Sequence, residues 1–225
     1  MKDFVVYTAI SNGYDSLKCP PKLWMPDADF VAFLDKPQDA PGWNLQPLYR
    51  RFHDPCRNAK IHKLLPHRYF PDAHYSLWID GSVEIVSLLP LALWPDKYLR
   101  RHDLVVFKHR SRRCAYDEAA VCLDGNRDSS AVINRQMNKY CSEGYPPRNG
   151  LAECTVLFRR HTSKIERFNE AWYAEIKAYS RRDQLSFNYT ARKVGLKFNY
   201  FPGNMLNNPH FNWLPHIAPR IPMYD

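Results

Sequence analysis

The chain has 225 residues, of which 45% are hydrophobic and 24% are charged, and its formal net charge is +9 at pH 7. This composition is typical of a globular protein and excludes a disordered, collagen-like or coiled-coil chain. The longest apolar stretch, Ile85–Trp94, is interrupted by Ser87 and Pro90 and falls short of the roughly 18 residues that a membrane span needs. We therefore expect a soluble, cytoplasmic protein with no stable membrane insertion.

The positive charge favours a polyanionic partner, which can be a nucleic acid, a membrane surface or a phosphorylated small molecule. Charge alone does not choose among them. The six cysteines form no C-x-x-C pair, so the sequence encodes neither a zinc knuckle nor a thiol redox motif. Reduced, mostly buried thiols in a reducing compartment are the ordinary interpretation.

The first part of the chain has the pattern of an α/β unit. Phe4–Ile10 is β-branched and aromatic and predicts a first strand rather than a signal peptide, and Asp29–Asp35 predicts a second strand. A segment that opens at Pro55 carries apolar residues at helical spacing and predicts a helix that Pro66 kinks or ends. Tyr75–Ile79 then predicts a central, buried strand.

Strands and helices alternate further along the chain as well. We predict strands at Leu104–Lys108 and Thr155–Phe158, and helices at Ser129–Tyr140, Ile165–Tyr179 and Arg182–Thr190. Residues 202–225 are rich in Pro, Asn and His and predict an irregular C-terminal tail. No repeat or linker divides the chain, so we expect a single α/β domain over residues 1–225, with a mostly parallel central sheet flanked by helices.

The most informative motif is the pentad W-I-D-G-S at residues 78–82, which follows the predicted central strand. An acidic residue at this edge of an open α/β sheet can hold a divalent cation, so Asp80 and the neighbouring Ser82 are candidate metal-site residues. His210 and His216 in the tail can complete such a site, because imidazole suits manganese. The alternative is that Asp80 only caps a turn, in which the following glycine supplies a positive φ.

Basic residues occur in two places where a phosphate group can bind. Arg57 and Lys63 lie in the helix that opens at Pro55, and the run K-H-R-S-R-R at residues 108–113 follows a predicted strand and contains His109 and Arg113. Each group is alternatively a solvated surface with no ligand.

Two carboxylates have the position of a catalytic acid or base. Glu118 follows the basic run and Asp183 opens the last predicted helix. The alternatives are an ion pair of Glu118 with a neighbouring arginine and a capping role for Asp183. No H-E-x-x-H, G-x-S-x-G or G-x-x-x-x-G-K-[ST] motif is present, which argues against a metalloprotease, an α/β-hydrolase and a P-loop NTPase.

Four motifs together resemble the DUF616 family, the glycosyltransferase-like domain of the plant TOD1 and MUCI70 proteins. They are Y-T-A-I at 7–10 with G-Y-D at 13–15, K-L-L-P-H-R at 63–68, W-I-D-G at 78–81, and R-D-Q-L-S-F at 182–187. The last string is the most specific of them. The resemblance implies a GT-A, Rossmann-like domain that transfers a sugar from a nucleoside diphosphate donor, with a UDP-sugar as the expected donor and a glycan or other hydroxyl as acceptor.

The resemblance also implies roles for individual residues. Asp80 matches the acidic residue of the family's metal motif, for Mn²⁺ or Mg²⁺, whereas Ser82 stands where the D-x-D motif of GT-A enzymes has its second acid. The remaining candidates bind the donor or act on the acceptor. We expect donor contacts from Thr8, Asp15, Asp35, Arg57, Lys63, His109 and Arg113, and a proton acceptor in Asp183 or Glu118.

Two other functions remain open from the sequence. One is a nucleic-acid-binding protein or metal-dependent nuclease, in which acidic residues hold Mg²⁺ and the basic run binds phosphates. The other is a catalytically silent sugar-binding module, which the missing second acid favours. The resemblance favours nucleotide-sugar and acceptor partners over a nucleic acid.

Overall fold

The structure is a computed structural model that describes residues 2–21 and 25–217. The strands in that part of the chain are β1 (Phe4–Ile10), β2 (Ala28–Leu34), β3 (Asn44–Pro47), β4 (Tyr75–Ile79), β5 (Val83–Ile85), β6 (Leu104–Lys108), β7 (Ala152–Arg160), β8 (Asn199–Tyr200) and β9 (Phe211–Trp213). The helices are α1 (Pro55–Leu64), α2 (Pro66–Tyr69), α3 (Trp94–Tyr98), α4 (Ala115–Asp124), α5 (Ser130–Ser142), α6 (Ser163–Ala178) and α7 (Asp183–Lys193), and a 3₁₀ turn spans Leu91–Leu93.

A seven-stranded sheet with the order β3-β2-β1-β4-β7-β6-β8 lies at the centre of the fold. Neighbouring strands are parallel except at β7, which runs antiparallel to both β4 and β6. The carboxyl ends of β1, β4 and β6 therefore meet the amino end of β7 at one edge of the sheet, where α/β folds bind their ligands. The predicted α/β fold with a mostly parallel central sheet is confirmed.

Both faces of the sheet are covered, because alternate side chains of a central strand belong to different hydrophobic clusters. All seven residues of β1 are buried. Val5, Tyr7 and Ala9 pack with side chains of α1, α6 and α7, whereas Phe4 and Val6 pack with side chains of α3. This alternation is the period of two that a strand imposes, and it explains why β1 is apolar throughout.

The limits of helix α1 follow from its capping residues. The Asp54 carboxylate accepts the backbone N–H of Cys56 at 2.9 Å, and Pro55 takes the first helical position, where no N–H is needed. Pro66 cannot continue the hydrogen-bond ladder, so α1 ends before it and the short α2 begins there. The last turn of α1 packs against the sheet, which buries Lys63.

The sequence predicts neither the short strands β3, β5, β8 and β9 nor the helices α3 and α4. Strands of two to four residues are too short to show a period. The predicted irregular tail contains one of these short strands, β9, which pairs antiparallel with β5, so the prediction is wrong at residues 211–213. Residues 218–225 of that tail lie outside the described residues. Within the described ranges, no helix combines the length and the apolar character that crossing a bilayer requires.

Candidate functional site

A cavity of about 510 Å³ opens at the edge of the sheet where β1, β4 and β6 end. This volume lies within the range of small-molecule sites. Its lysines and arginines are Lys60, Lys63, Arg110, Arg112, Arg127, Arg181 and Arg182, and its carboxylates are Asp15, Asp80, Glu118, Glu153 and Asp183. Because the basic side chains outnumber the acidic ones, the cavity favours an anionic ligand.

Lys63 connects two of these carboxylates. Its Nζ donates a hydrogen bond to Asp80 Oδ1 at 2.9 Å and lies 2.7 Å from Asp183 Oδ2. The Lys63 side chain is 1% exposed. Burial alone would lower the pKa of Lys63, but Asp183 and Asp80 raise it above its ordinary value. Lys63 therefore stays protonated and links the end of β4 to the start of α7.

Asp80 presents one occupied and one free carboxylate oxygen. Its Oδ1 accepts the Trp78 Nε1 hydrogen at 2.7 Å in addition to the bond from Lys63. Its Oδ2 makes no hydrogen bond to any residue in the described ranges. Because the Asp80 side chain is 31% exposed at the cavity wall, the carboxylate remains reachable for a ligand.

Gly81 is required for space and not for its backbone conformation. A Cβ atom at this position would lie 2.9 Å from Asp15 Cβ and 2.9 Å from Ile10 Cγ1. Gly81 is not among the glycines with a positive φ, so the alternative that it supplies one is wrong. The close approach places the loop after β1, with Asp15, beside Asp80.

The side chains at the cavity wall can be compared with the ligands that a divalent cation needs. Among the described residues, no group of three or more His, Cys, Asp or Glu side chains is arranged to hold a metal ion. Ser82 is buried and lines the cavity where a second acid is expected. A Mg²⁺ or Mn²⁺ ion that takes most of its ligands from phosphates and water needs only one or two carboxylates. Of the donors that such an ion needs from the protein, the described cavity offers the free Oδ2 of Asp80 as one.

Asp183 opens α7 and is held by two lysines. Its Oδ2 lies 2.6 Å from Lys60 Nζ and 2.7 Å from Lys63 Nζ. Burial alone would raise the pKa of Asp183, but the two ammonium groups lower it well below the ordinary range. A carboxylate held in this way is a weak proton acceptor, so the predicted role of Asp183 as a base is not favoured by its surroundings.

Glu118 is buried and engaged by arginine. Its Oε2 accepts the Nε hydrogen of Arg112, and its Oε1 lies 4.0 Å from an amino group of Arg182. His109 lies 3.8 Å from the same carboxylate, but burial and Arg112 lower the pKa of His109, so the imidazole is neutral at pH 7. This ion pair of Glu118 with a neighbouring arginine is the alternative to a catalytic role that the sequence analysis left open.

The tail closes one corner of the cavity. His216 Nδ1 lies 3.0 Å from Asp15 Oδ1, and its ring packs on Tyr14 with centroids 4.4 Å apart. Burial raises the pKa of Asp15; hydrogen bonding to His216 opposes that shift and the charge of Asp80 adds to it. Trp213 of β9 lines the cavity on the same side.

Most of the predicted site residues line this one cavity, although they are far apart in sequence. They are Asp15, Lys63, Asp80, Ser82, His109, Glu118, Asp183 and His216. The sheet topology explains this, because each of them lies at or near the cavity edge of a strand or packs against that edge.

Two predicted residues lie in the protein core. His210 is 4% exposed and its ring nitrogens contact Ser87 Oγ at 2.8 Å and Tyr98 Oη at 2.5 Å. Burial lowers the pKa of His210, and its contacts anchor the tail to α3, not to Asp80. Thr8 lies inside β1, two residues before the strand ends, and its hydroxyl is buried among the described residues without a hydrogen-bond partner.

Three more predicted residues are not among those that line the cavity. Arg57 donates to backbone carbonyls at the C-terminal end of α6 and pairs with the carboxylate that caps α1, so it connects two helices. Asp35 accepts the backbone N–H of Asn12 at 2.8 Å and shapes the loop after β1. Arg113 is exposed next to the cavity-lining Arg112.

Several cavity residues are not singled out by the sequence. Glu153 is the second residue of β7, and its place at the cavity depends on β7 running antiparallel, which hydrophobic periodicity does not reveal. Arg181, Arg182 and Gln184 surround Asp183 at the start of α7. The R-D-Q string is the signal from which they could have been found.

Comparison with known proteins identifies a family that includes this chain. The family model of the TOD1/MUCI70 glycosyltransferase-like domain matches residues 45–216. A probable hexosyltransferase of Arabidopsis thaliana, MUCI70, is 27% identical over 88% of this chain and 39% of its own length. The alkaline ceramidase TOD1 of the same plant is 23% identical over 88% of this chain and 50% of its own length.

The chain also matches solved structures, of which one is a glycosyltransferase. The apo structure of the bifunctional glycosyltransferase WbbM has a TM-score of 0.49 and 11% identity, covering 88% of this chain and 38% of that chain. The chain spans half or less of each curated relative, so the match concerns one part of those proteins. Because the family model covers most of the chain, including α1, the W-I-D-G-S motif and the start of α7, the chain belongs to the TOD1/MUCI70 glycosyltransferase-like domain family.

Proposed function

We propose that this chain is a metal-dependent glycosyltransferase that moves a sugar from a nucleoside diphosphate donor, a UDP-sugar, to a hydroxyl of a glycan or another acceptor. The observation that carries the proposal is the Asp80–Lys63–Asp183 chain of charges at the cavity edge of the sheet. It combines a carboxylate oxygen free for a cation with a fixed, buried positive charge. Family membership and the name of the relative MUCI70, a probable hexosyltransferase, support the same reading.

The chain's own residues stabilise the leaving group in this proposal. Transfer requires the diphosphate to depart, and its growing negative charge must be balanced. Lys60 and Lys63 are already held in position by Asp183, so little reorganisation is needed when the charge develops. Arg182 also faces the cavity and has a buried Nε without a partner among the described residues. These groups can donate to the phosphate oxygens.

A bound divalent cation would supply further charge neutralisation of the diphosphate. Asp80 Oδ2 would hold it, with Ser82 and Asp15 beside it at the cavity wall. The neutral His109 and the buried Glu118 hold Arg112 in the cavity wall. Arg110 and Arg112, the two arginines of the 108–113 segment that line the cavity, are therefore available to the same ligand.

The test is a panel of nucleotide sugars with and without Mn²⁺, read by thermal shift and by release of nucleoside diphosphate. A ligand at a hundredfold excess over its Kd should stabilise the folded chain by about 2.7 kcal/mol. Release of UDP above the rate of spontaneous hydrolysis excludes a silent sugar-binding module. Strongly salt-dependent binding of mixed-sequence DNA or RNA, with no nucleotide-sugar turnover, would instead support the nuclease alternative.

A ceramide-hydrolysis assay is run beside the panel, because the relative TOD1 is named an alkaline ceramidase. We expect no fatty acid release by this chain. Fatty acid release without any nucleotide-sugar turnover would contradict the proposal.

A further inference from the structure

Glu153 lines the cavity from β7, the strand that pairs with both β4 and β6. The backbone N–H of Asp80, after β4, donates to the carbonyl of Thr155 at 2.9 Å. The N–H of His109, after β6, donates to the carbonyl of Leu151 at 2.9 Å. Glu153 is therefore held between the metal-motif loop and the basic 108–113 segment, on a rigid strand and not on a loop.

The pairing of β7 with β6 is irregular at this residue. Val106 pairs with Leu157, but the next residue, Phe107, pairs with Glu153, four positions earlier on β7. Such irregularities redirect side chains and are frequent beside active sites. Here the irregularity lies between Glu153 and Leu157 of β7, directly beside the residue that lines the cavity.

One oxygen of the Glu153 carboxylate has no hydrogen-bond partner among the described residues. Within residues 2–21 and 25–217, Glu153 Oε2 is the one buried carboxylate oxygen without a hydrogen bond. Leaving a buried polar atom unpaired costs about 1–3 kcal/mol, so at a cavity wall this oxygen is available to a hydroxyl group of a ligand. By contrast, Glu118 and Asp183 are engaged by arginine and lysine.

The surroundings of Glu153 also suit a proton acceptor. Burial raises the pKa of Glu153; Arg110 and Arg112 oppose that shift, and Asp80 and Glu118 add to it. These are the charged groups that face it from the ends of β6 and β4 and from α4. A carboxylate whose affinity for protons is raised is a better general base than Asp183, in which that affinity is lowered.

We propose that Glu153 is the general base of the transfer reaction, an inference that rests on the proposed function. The acceptor hydroxyl oxygen forms a bond to the anomeric carbon while the bond from that carbon to the diphosphate oxygen breaks. The hydroxyl proton passes to the Glu153 carboxylate, and the electron pair of the broken bond leaves with the diphosphate. This single displacement inverts the anomeric configuration.

The experiment compares the parent chain with Glu153→Gln, Glu153→Ala and a matched control, Glu166→Gln, on the exposed first turn of α6. The donors are UDP-hexoses with Mn²⁺, and UDP release is measured with hydroxyl acceptors and with sodium azide. Azide is already anionic and needs no base. Binding of UDP and thermal unfolding are measured for every variant.

We expect Glu153→Gln to lose about 10²–10⁴-fold in transfer to hydroxyls. It should keep UDP binding and unfold at or above the parent's temperature, because a buried amide replaces a buried unpaired carboxylate. In Glu153→Ala, azide should restore UDP release at least tenfold and give a glycosyl azide of inverted configuration. Glu166→Gln should behave as the parent.

Several results would overturn the inference. They are a parent-like transfer rate in Glu153→Gln, a clear fall in its unfolding temperature, a failure of azide to restore Glu153→Ala that still binds UDP, and a product of retained configuration. If the parent itself releases no UDP from any donor, the proposed function has failed first, and this outcome is distinct from the others.

Discussion

Replacing Lys63 by methionine tests the charge chain directly. Methionine keeps an apolar stem of similar length in the buried position but removes the ammonium group that joins Asp80 to Asp183. Asp183 keeps Lys60 at 2.6 Å. The variant therefore weakens a buried ion pair without leaving the carboxylate entirely unpaired.

The expected loss is the sum of two contributions. At Asp183 one charge-assisted hydrogen bond is removed, which is worth about 1.5–3 kcal/mol. At Asp80, whose side chain is 31% exposed, water screens the pair, and the loss is on the order of 1 kcal/mol or less. Lys63→Met should thus lower the free energy of unfolding by about 1.5–4 kcal/mol, or Tm by roughly 3–16 °C for a chain of this size.

The pH dependence of that loss has a definite sign. The pKa of Asp183 is lowered in the folded state, so its contribution is present above the unfolded pKa of about 3.9 and is lost as pH falls through the folded value. The difference between parent and Lys63→Met should therefore be full at pH 7. It should shrink below about pH 4, as Asp183 becomes protonated first in the variant.

Urea and thermal unfolding, followed by circular dichroism between pH 3 and pH 7, measure this difference. Lys164→Met, an exposed lysine of α6, is the matched control and should change stability by less than about 0.5 kcal/mol. A Lys63→Met variant within about 0.5 kcal/mol of the parent at pH 7, or a loss that grows toward acid, would refute the reasoning.

Three further predictions concern the cavity edge and the thiols. Asp80→Asn should bind UDP as the parent does without metal but lose the gain that Mn²⁺ adds, measured by titration calorimetry; an equal gain would contradict the role of Asp80. Gly81→Ala should lose about 1–3 kcal/mol in urea unfolding, because its Cβ would meet Asp15 and Ile10 at 2.9 Å, and an unchanged midpoint would argue against that close approach. In the folded protein Ellman's reagent should label Cys19 and Cys141, which are exposed, whereas the buried Cys114, Cys122 and Cys154 should react only after unfolding; rapid labelling of a buried thiol, mapped by mass spectrometry, would count against the packing.

The long elements of the fold can be predicted from the sequence because their residue patterns are distinctive. Helix α6 carries apolar residues at helical spacing, whereas β1 and β4 are short runs of mainly apolar and aromatic residues that are typical of buried strands. The direction of β7 cannot be predicted in this way, because a strand has the same period whichever way it runs. The two-residue and three-residue strands carry too few side chains for any pattern.

The residues of the candidate site also divide into those that the sequence predicts and those that it does not. Lys63, Asp80 and Asp183 are predictable, because each stands at a strand end or in a distinctive motif, and the structure brings them within hydrogen-bond distance. The position of Glu153 at the cavity cannot be predicted, because the sequence does not reveal that β7 runs antiparallel to β4. His210 has the residue type of a metal ligand, but its burial against Ser87 is a tertiary contact that no local pattern reveals.

The contact between Asp15 and His216 spans 201 positions of the chain. The tail is anchored before this point by His210 against Ser87 and α3 and by the pairing of β9 with β5, and His216 lies beyond both anchors. The contact between His216 and Asp15 is therefore expected to form late in folding and to break before the central sheet unfolds. Access to the cavity beside Asp15 can then vary while the rest of the molecule remains folded.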